Sequence, residues 1–195
     1  MGFYKLYLFF LTILLFFKIN SQNLKKPNFV FFLVDDLGYS DIGCYGSNYY
    51  KTPSIDKLAA EGAMFTNAYS SGMVCSPSRA SILTGKYPAR LRITTAIPIK
   101  GYARIKNGTG TPLMDADYVM NLPLEELTIA EALKNNGYST SSIGKWHVCK
   151  DSLFFPQNQG FDENIGGSGR GHSADYFYPY YGKWRMTDGH PWIEW

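Results

Sequence analysis

The chain has 195 residues, 45% hydrophobic and 18% charged, which excludes a disordered chain or a polyelectrolyte and allows one ordinary domain or two small ones. A formal net charge of +3 leaves no electrostatic footprint for nucleic acid. Three cysteines, an odd number and too few to staple a small fold, exclude a disulfide scaffold.

Lys5 precedes the apolar run Leu6 to Phe17, which gives way to the polar Asn20-Ser21-Gln22. A short positive region, an apolar core of about a dozen residues and a small residue at the exit predict a signal peptide over 1–21. The run is shorter than the roughly 20 residues a membrane span needs. The expected location is secreted or periplasmic, with membrane contact only through secretion. Asn107-Gly108-Thr109 has the pattern of a glycosylation acceptor, and a eukaryotic source would add the lysosome to the destinations.

Asn28 to Val34 is a continuous apolar run rich in β-branched and aromatic residues, the pattern of a strand buried on both faces of a parallel sheet. It ends in Asp35-Asp36-Leu37-Gly38. Thr52-Pro53-Ser54 opens a helical pattern with Ile55, Leu58 and Ala59 on one face and Gly62 as its stop. Ala63 to Tyr69 reads as a second strand. Pro77 stands where a first helical turn begins, followed by Arg79 to Leu83 and the terminator Gly85. Leu91 to Leu122 is rich in Gly, Pro and Thr and reads as a long surface excursion. Thr128-Ile129-Ala130-Glu131 is a capping box that starts a helix ended by Gly137, and Tyr138 to Trp146 is the third expected strand. Strands alternating with helices, without an internal repeat, predict an α/β layer fold with a mainly parallel sheet flanked by helices. In such sheets function gathers beyond the carboxyl ends of the strands. Asp35-Asp36, Cys75 to Arg79 and Lys145 to His147 fall there.

Adjacent carboxylates at a strand end repel each other unless a cation sits between them. All-oxygen ligands favour calcium or magnesium, and the competing role is to cap the turn before Gly38. Pro77 in a first turn sets Cys75 beside free helical amides, an environment that favours a thiolate or a neighbouring anion. Arg79 follows about one turn later and reaches back toward the same anion. The alternatives are a buried thiol with an exposed arginine, or a disulfide between Cys75 and Cys44. Lys145 and His147, two apart on a strand, share one face while Trp146 takes the other. Together they would form an anion site with a titratable group, against a solvated lysine and a core histidine.

Cys75-Ser76-Pro77-Ser78-Arg79, running into Leu83-Thr84-Gly85-Lys86, resembles the first signature of the type I sulfatases. Gly137-Tyr138-Ser139-Thr140, leading into Gly144-Lys145-Trp146-His147, resembles the second signature, and Asn28 to Gly46, with Asp35-Asp36, resembles the first strand and metal loop. Gly160-Phe161-Asp162 also occurs in many members. The likeness covers Pro27 to Asp162 with matching order and spacing. It implies an alkaline-phosphatase-like fold in which 22–195 is the N-terminal part of a sulfatase catalytic domain. It further implies that Cys75 is converted to formylglycine by a maturating enzyme, and that Asp35, Asp36 and modified Cys75 bind one Ca2+, with Mg2+ the less suitable ion. The implied catalytic set is Cys75, Arg79, Lys145 and His147. Hydrated formylglycine would attack the sulfur of a sulfate ester, Arg79 would hold its hydroxyls, Lys145 would neutralise sulfate, and His147 would be the base that expels it.

Two departures stand beside the resemblance. Members are usually much longer, and their metal site is completed by a downstream Asp-Asn pair, which this sequence lacks. The expectation is therefore an incomplete catalytic domain. Cys149 stands where many members have glycine and reads as a packed thiol. The expected partner is a sulfated carbohydrate or another sulfate ester. The rivals are a phosphate or phosphonate ester hydrolase of the same superfamily and a non-catalytic secreted glycan-binding fragment. Aromatics from Tyr176 to Trp184 read as packing, and His172 and His190 are given no role.

Overall fold

The computed structural model describes Tyr4, residues 26–97 and residues 117–172. The predicted signal peptide (apart from Tyr4), the Asn107 acceptor, the aromatic stretch from Tyr176 and His190 lie outside the described residues.

Helix α1 spans Pro53–Glu61, with Pro53 in its first turn and Gly62 beyond its end, as predicted. Its expected buried face is not buried, since Ile55 and Leu58 are exposed. The helix is tied down by polar contacts instead. Asp56 Oδ1 accepts the Cys44 N–H at 2.7 Å and the Thr52 hydroxyl at 3.0 Å, and Thr52 Oγ1 accepts the Gly43 N–H at 2.8 Å. A β-carbon at Gly43 would lie 2.6 Å from Asp56 Oδ2, so a larger residue there would have to displace the Asp56 carboxylate from these bonds.

Helix α2 spans Cys75–Thr84 and starts two residues before Pro77. Proline is still tolerated at the third position, where an N–H has no intrahelical partner to lose. Gly85 ends α2 in the left-handed region with φ 68°. Helix α3 is the short Pro88–Leu91. Helix α4, Ile129–Lys134, carries the predicted capping box: Thr128 Oγ1 accepts the Glu131 N–H at 3.1 Å and Glu131 Oε2 accepts the Thr128 N–H at 2.8 Å.

Strand β1, Ser141–Ile143, pairs in parallel with β2, Glu163–Ile165, in the register Ser141 to Glu163 and Ile143 to Ile165. The third predicted strand is thus shorter than expected, and β2 was not predicted at all. The first predicted strand, 28–34, is exposed and carries no ladder among the described residues. Its direction is nevertheless fixed at both ends. Phe29 lies 5.8 Å from the Tyr138 ring, and six residues on Asp35 pairs with Lys145, so the run lies beside 138–145 and parallel to it. Residues 63–69 form no strand, since Thr66 and Asn67 turn the chain in the middle of the run.

The main core is a cluster that includes Ala80 of α2, Leu91, Ile93, Ile97, Leu122 and Trp146. Leu91 to Leu122 is therefore not wholly a surface excursion. Both of its ends carry fully apolar side chains into the core, and burial of such side chains is the main stabilising term.

Candidate active site

The three singled-out segments converge. Asp35, at the end of the exposed run, offers one carboxylate oxygen to Arg79 Nη2 at 3.2 Å and the other to the Lys145 ammonium. Arg79 uses its second arm, donating from Nη1 to the Lys145 carbonyl at 2.6 Å. One guanidinium thus holds the first strand run and the turn after β1 to α2, and it is itself buried. Burial alone would raise the Asp35 pKa. The hydrogen bonds and charges of Lys145 and Arg79 outweigh it and hold the carboxyl below its ordinary range.

Neither member of the aspartate pair caps the turn before Gly38, because the Gly38 N–H is taken by Asp41 Oδ2 at 2.7 Å. Asp36 occupies left-handed backbone with φ 55°. Only three non-glycine residues do so among those described, Asp36, Arg92 and His147, and two of these belong to the predicted site. The conformation costs roughly 1–2 kcal/mol per residue and persists only where surrounding contacts over-determine it.

A cavity of about 700 Å³ lies against this cluster, lined among others by Asp35, Asp36, Gly72, Cys75, Ser78 and Arg79. Cys75 is the first residue of α2 and half-buried. Val74 provides no capping side chain, so the helix end beside Cys75 is left to attract negative charge, as predicted from Pro77. All three cysteines are free, so the alternative Cys44–Cys75 disulfide is not formed. Lys86 also lines the cavity, with its ammonium paired to Glu126.

Lys145 and His147 do not alternate along a strand as predicted, since β1 ends at Ile143 and His147 has φ 57°. They are set by a turn whose anchors come from elsewhere. Trp146 packs edge-on against Phe161 at 5.8 Å and donates from Nε1 to the Phe154 carbonyl at 3.0 Å, while the His147 N–H bonds to Ser168 O at 3.0 Å. The imidazole is buried, with Nε2 2.9 Å from Ile97 O and Nδ1 without a partner among the described residues. Burial is the main cause that pushes its pKa below the ordinary histidine value. The Ile97 bond opposes this, while the charges of Lys145 and Arg79 add to it and Asp35 offsets them in part. Gly171 closes over the ring, where a β-carbon would come within 2.8 Å of Cε1. Ile97 and Gly171 were missed in the sequence because Ile97 acts through its backbone and glycine through having no side chain. Cys149 is a packed thiol, as expected, pushed up to about 12 by burial.

A sequence model of the Sulfatase family matches residues 27–188. The chain belongs to the sulfatase family. It is 40% identical over 144 residues to arylsulfatase A of Homo sapiens, covering 73% of this chain and 25% of that protein. Against N-acetylgalactosamine-6-sulfatase of Sus scrofa the identity is 39%, covering 73% of this chain and 26% of the relative. The crystal structure of Ps i-CgsB superposes with a TM-score of 0.55 at 35% identity, over 67% of this chain and 25% of that one. The same similarity extends to Ps i-CgsB in complex with k-i-k-neocarrahexaose, at 34% identity, a TM-score of 0.55 and the same coverage. The chain thus spans about a quarter of the length of these relatives. The neighbours establish the predicted fold class, a sulfatase-type α/β fold with a parallel sheet and helices.

For a hard divalent ion, Asp35 and Asp36 have the right donor chemistry, carboxylate oxygens at the rim of one cavity. Asp35 is already shared between two cations, and no group of three or more His, Cys, Asp or Glu stands together among the described residues. The pair would by itself supply only part of the roughly six to eight oxygens that a calcium shell takes. Among the described residues, no helix is long and apolar enough to cross a membrane.

Proposed function

We propose that the protein is a sulfuric ester hydrolase acting on sulfate esters of carbohydrates. The observation that carries this reading is the meeting of Asp35, Arg79 and Lys145 beside a cavity that Cys75 lines at the start of α2. Two cations and an uncapped helix end around one nucleophile position are arranged for a compact, multiply charged anion. Family membership supports sulfate as that anion. A carbohydrate carrier is supported by the structural relative in complex with k-i-k-neocarrahexaose and by the relatives named for N-acetylgalactosamine 6-sulfate.

Formylglycine at Cys75 and Ca2+ on Asp35 and Asp36 would supply, when present, a regenerable nucleophile and a Lewis-acidic charge against the sulfuryl oxygens. The chain's own residues do the rest. The Arg79 guanidinium, locked between Asp35 and the Lys145 carbonyl, lines the cavity, while Asp35 holds the Lys145 ammonium. Lys145 neutralises sulfate oxygen charge that grows as the ester bond breaks. His147, whose pKa burial lowers, lies outside the lining of the cavity and would take the role of base that the sulfatase resemblance implies. Secretion through residues 1–21 would carry the chain to the compartment where sulfated polysaccharides occur.

The test uses the full chain, matured in a host that supplies the formylglycine-forming enzyme, with calcium present. Release of sulfate from sulfated oligosaccharides is compared with release of phosphate from the matching phosphate monoesters. Mass spectrometry of the Cys75 peptide reads aldehyde against thiol, and N-terminal sequencing of the secreted product reads the cleavage site. Preferred sulfate release with an aldehyde at Cys75 supports the reading. Preferred phosphate release would move the protein to the phosphohydrolases of the same superfamily, and binding of a sulfated glycan with Cys75 still a thiol would make it a binding protein.

A further inference from the structure

Ser76 is completely buried next to Cys75, and its hydroxyl oxygen accepts the Ile97 N–H at 3.0 Å. The carbonyl of the same Ile97 lies 2.9 Å from His147 Nε2. A carbonyl oxygen only accepts, so Nε2 must carry the proton. In a neutral imidazole this leaves Nδ1 unprotonated, and Nδ1 is the ring nitrogen that is buried without a partner among the described residues. Ile97 is thus fixed on one side by the residue that follows the nucleophile position and fixes the proton acceptor on the other. The arrangement is over-determined elsewhere. The His147 N–H is bonded to Ser168 O at 3.0 Å, its backbone is left-handed, and Gly171 leaves room for the ring and for nothing larger. A ring held this firmly keeps one tautomer only if the carbonyl it donates to stays in place.

We propose that Ser76 is a positioning residue: by holding the Ile97 N–H it aims the Ile97 carbonyl at His147 and keeps the imidazole in the Nε2–H form, with Nδ1 as proton acceptor. The consequence for turnover rests on the sulfatase reading, whereas the tautomer is a property of the chain itself. Ser76 touches neither the sulfate nor the reacting atoms. It acts through one backbone residue, so the side chain of Ile97 is free to vary among apolar residues that fill the core.

The full chain labelled with 15N-histidine gives the readout. The protein has three histidines, and a His147→Gln variant assigns the His147 signals. Two-bond proton–nitrogen correlation at mildly alkaline pH is expected to show His147 as a single Nε2–H tautomer. Ser76→Ala is expected to add an Nδ1–H population at His147 and to lower kcat about tenfold with KM within about twofold, while Ser76→Thr restores both. Should Ser76→Ala fail to fold, Ser76→Cys, a near-isosteric and weaker acceptor, is read in its place. A wild-type His147 in the Nδ1–H form overturns the proposal, and so does an unchanged tautomer in the variant that lacks the hydroxyl acceptor. A chain with the expected tautomers that hydrolyses no sulfate ester refutes the sulfatase reading and leaves the positioning role standing. An active enzyme whose tautomer ignores Ser76 refutes the positioning role alone.

Discussion

Asp35 answers two cations with one carboxylate, and that triangle decides what substitutions at the site should do. Arg79→Lys keeps the charge but loses the planar fork that reaches Asp35 and the Lys145 carbonyl together. The expected result is a loss of about 10²-fold or more in kcat with the fold retained, read by steady-state kinetics beside circular dichroism. Cys75→Ala should abolish turnover and leave the melting temperature within about 2 °C, since the thiol is half-buried and makes no disulfide. Substantial turnover by a clean Cys75→Ala preparation would sink the nucleophile role.

At the scale of elements, β1 and α4 are joined to the segment before β2 by side chains that the sequence does not advertise. Asp162 bonds the Lys134 ammonium at 2.6 Å and the Thr140 N–H at 2.9 Å, and these partners, Lys134 first, hold its pKa below the ordinary 3.8. A lowered carboxyl pKa contributes stability above the unfolded value and loses it as pH falls through the folded one. Asp162→Asn should therefore lower stability modestly near neutrality, where the contribution is fully present, and flatten the acid limb below about pH 4 so that variant and parent converge in acid, as read by thermal melts across pH. Gly160 has φ 91°, and a β-carbon there would lie 2.5 Å from the Glu131 backbone nitrogen, inside the capping box of α4. Gly160→Ala should cost about 2–4 kcal/mol in chemical denaturation, because both the left-handed backbone and the rigid neighbour oppose it.

Across the whole molecule, 28–34 presents apolar side chains outward while its far end supplies Asp35 and Asp36 to the cavity. The acidic pair is thus carried by a segment without ladder bonds among the described residues, so an ion bound there should stabilise more than its own loop. Calcium added to the full chain is expected to raise the melting temperature by several degrees, equivalent to about 2.7 kcal/mol at a hundredfold excess over Kd. Magnesium should do less, and Asp36→Asn should remove most of the shift. No calcium-dependent shift in the parent protein would count against the metal assignment.

The sequence by itself determined the local punctuation of this protein: Pro53 and Gly62 around α1, Gly85 after α2, and the Thr128–Glu131 box that starts α4. These rest on backbone chemistry within a few residues and need no distant partner. Sequence also singled out Asp35, Asp36, Cys75, Arg79, Lys145 and His147 by their place at the ends of expected strands and a helix, and the resemblance to the sulfatase signatures implied their roles. It misjudged the ladders. The apolar run 28–34 reads as a doubly buried strand, but burial depends on which segments lie alongside, and periodicity carries no information about them. Only the tertiary structure decided that Arg79 bridges Asp35 and the Lys145 backbone, that Lys145 and His147 sit on a turn rather than a strand, and that Ile97 carries His147. Those contacts join residues tens of positions apart, and the ones to the Lys145 and Ile97 carbonyls use a group that every residue possesses and no sequence pattern marks.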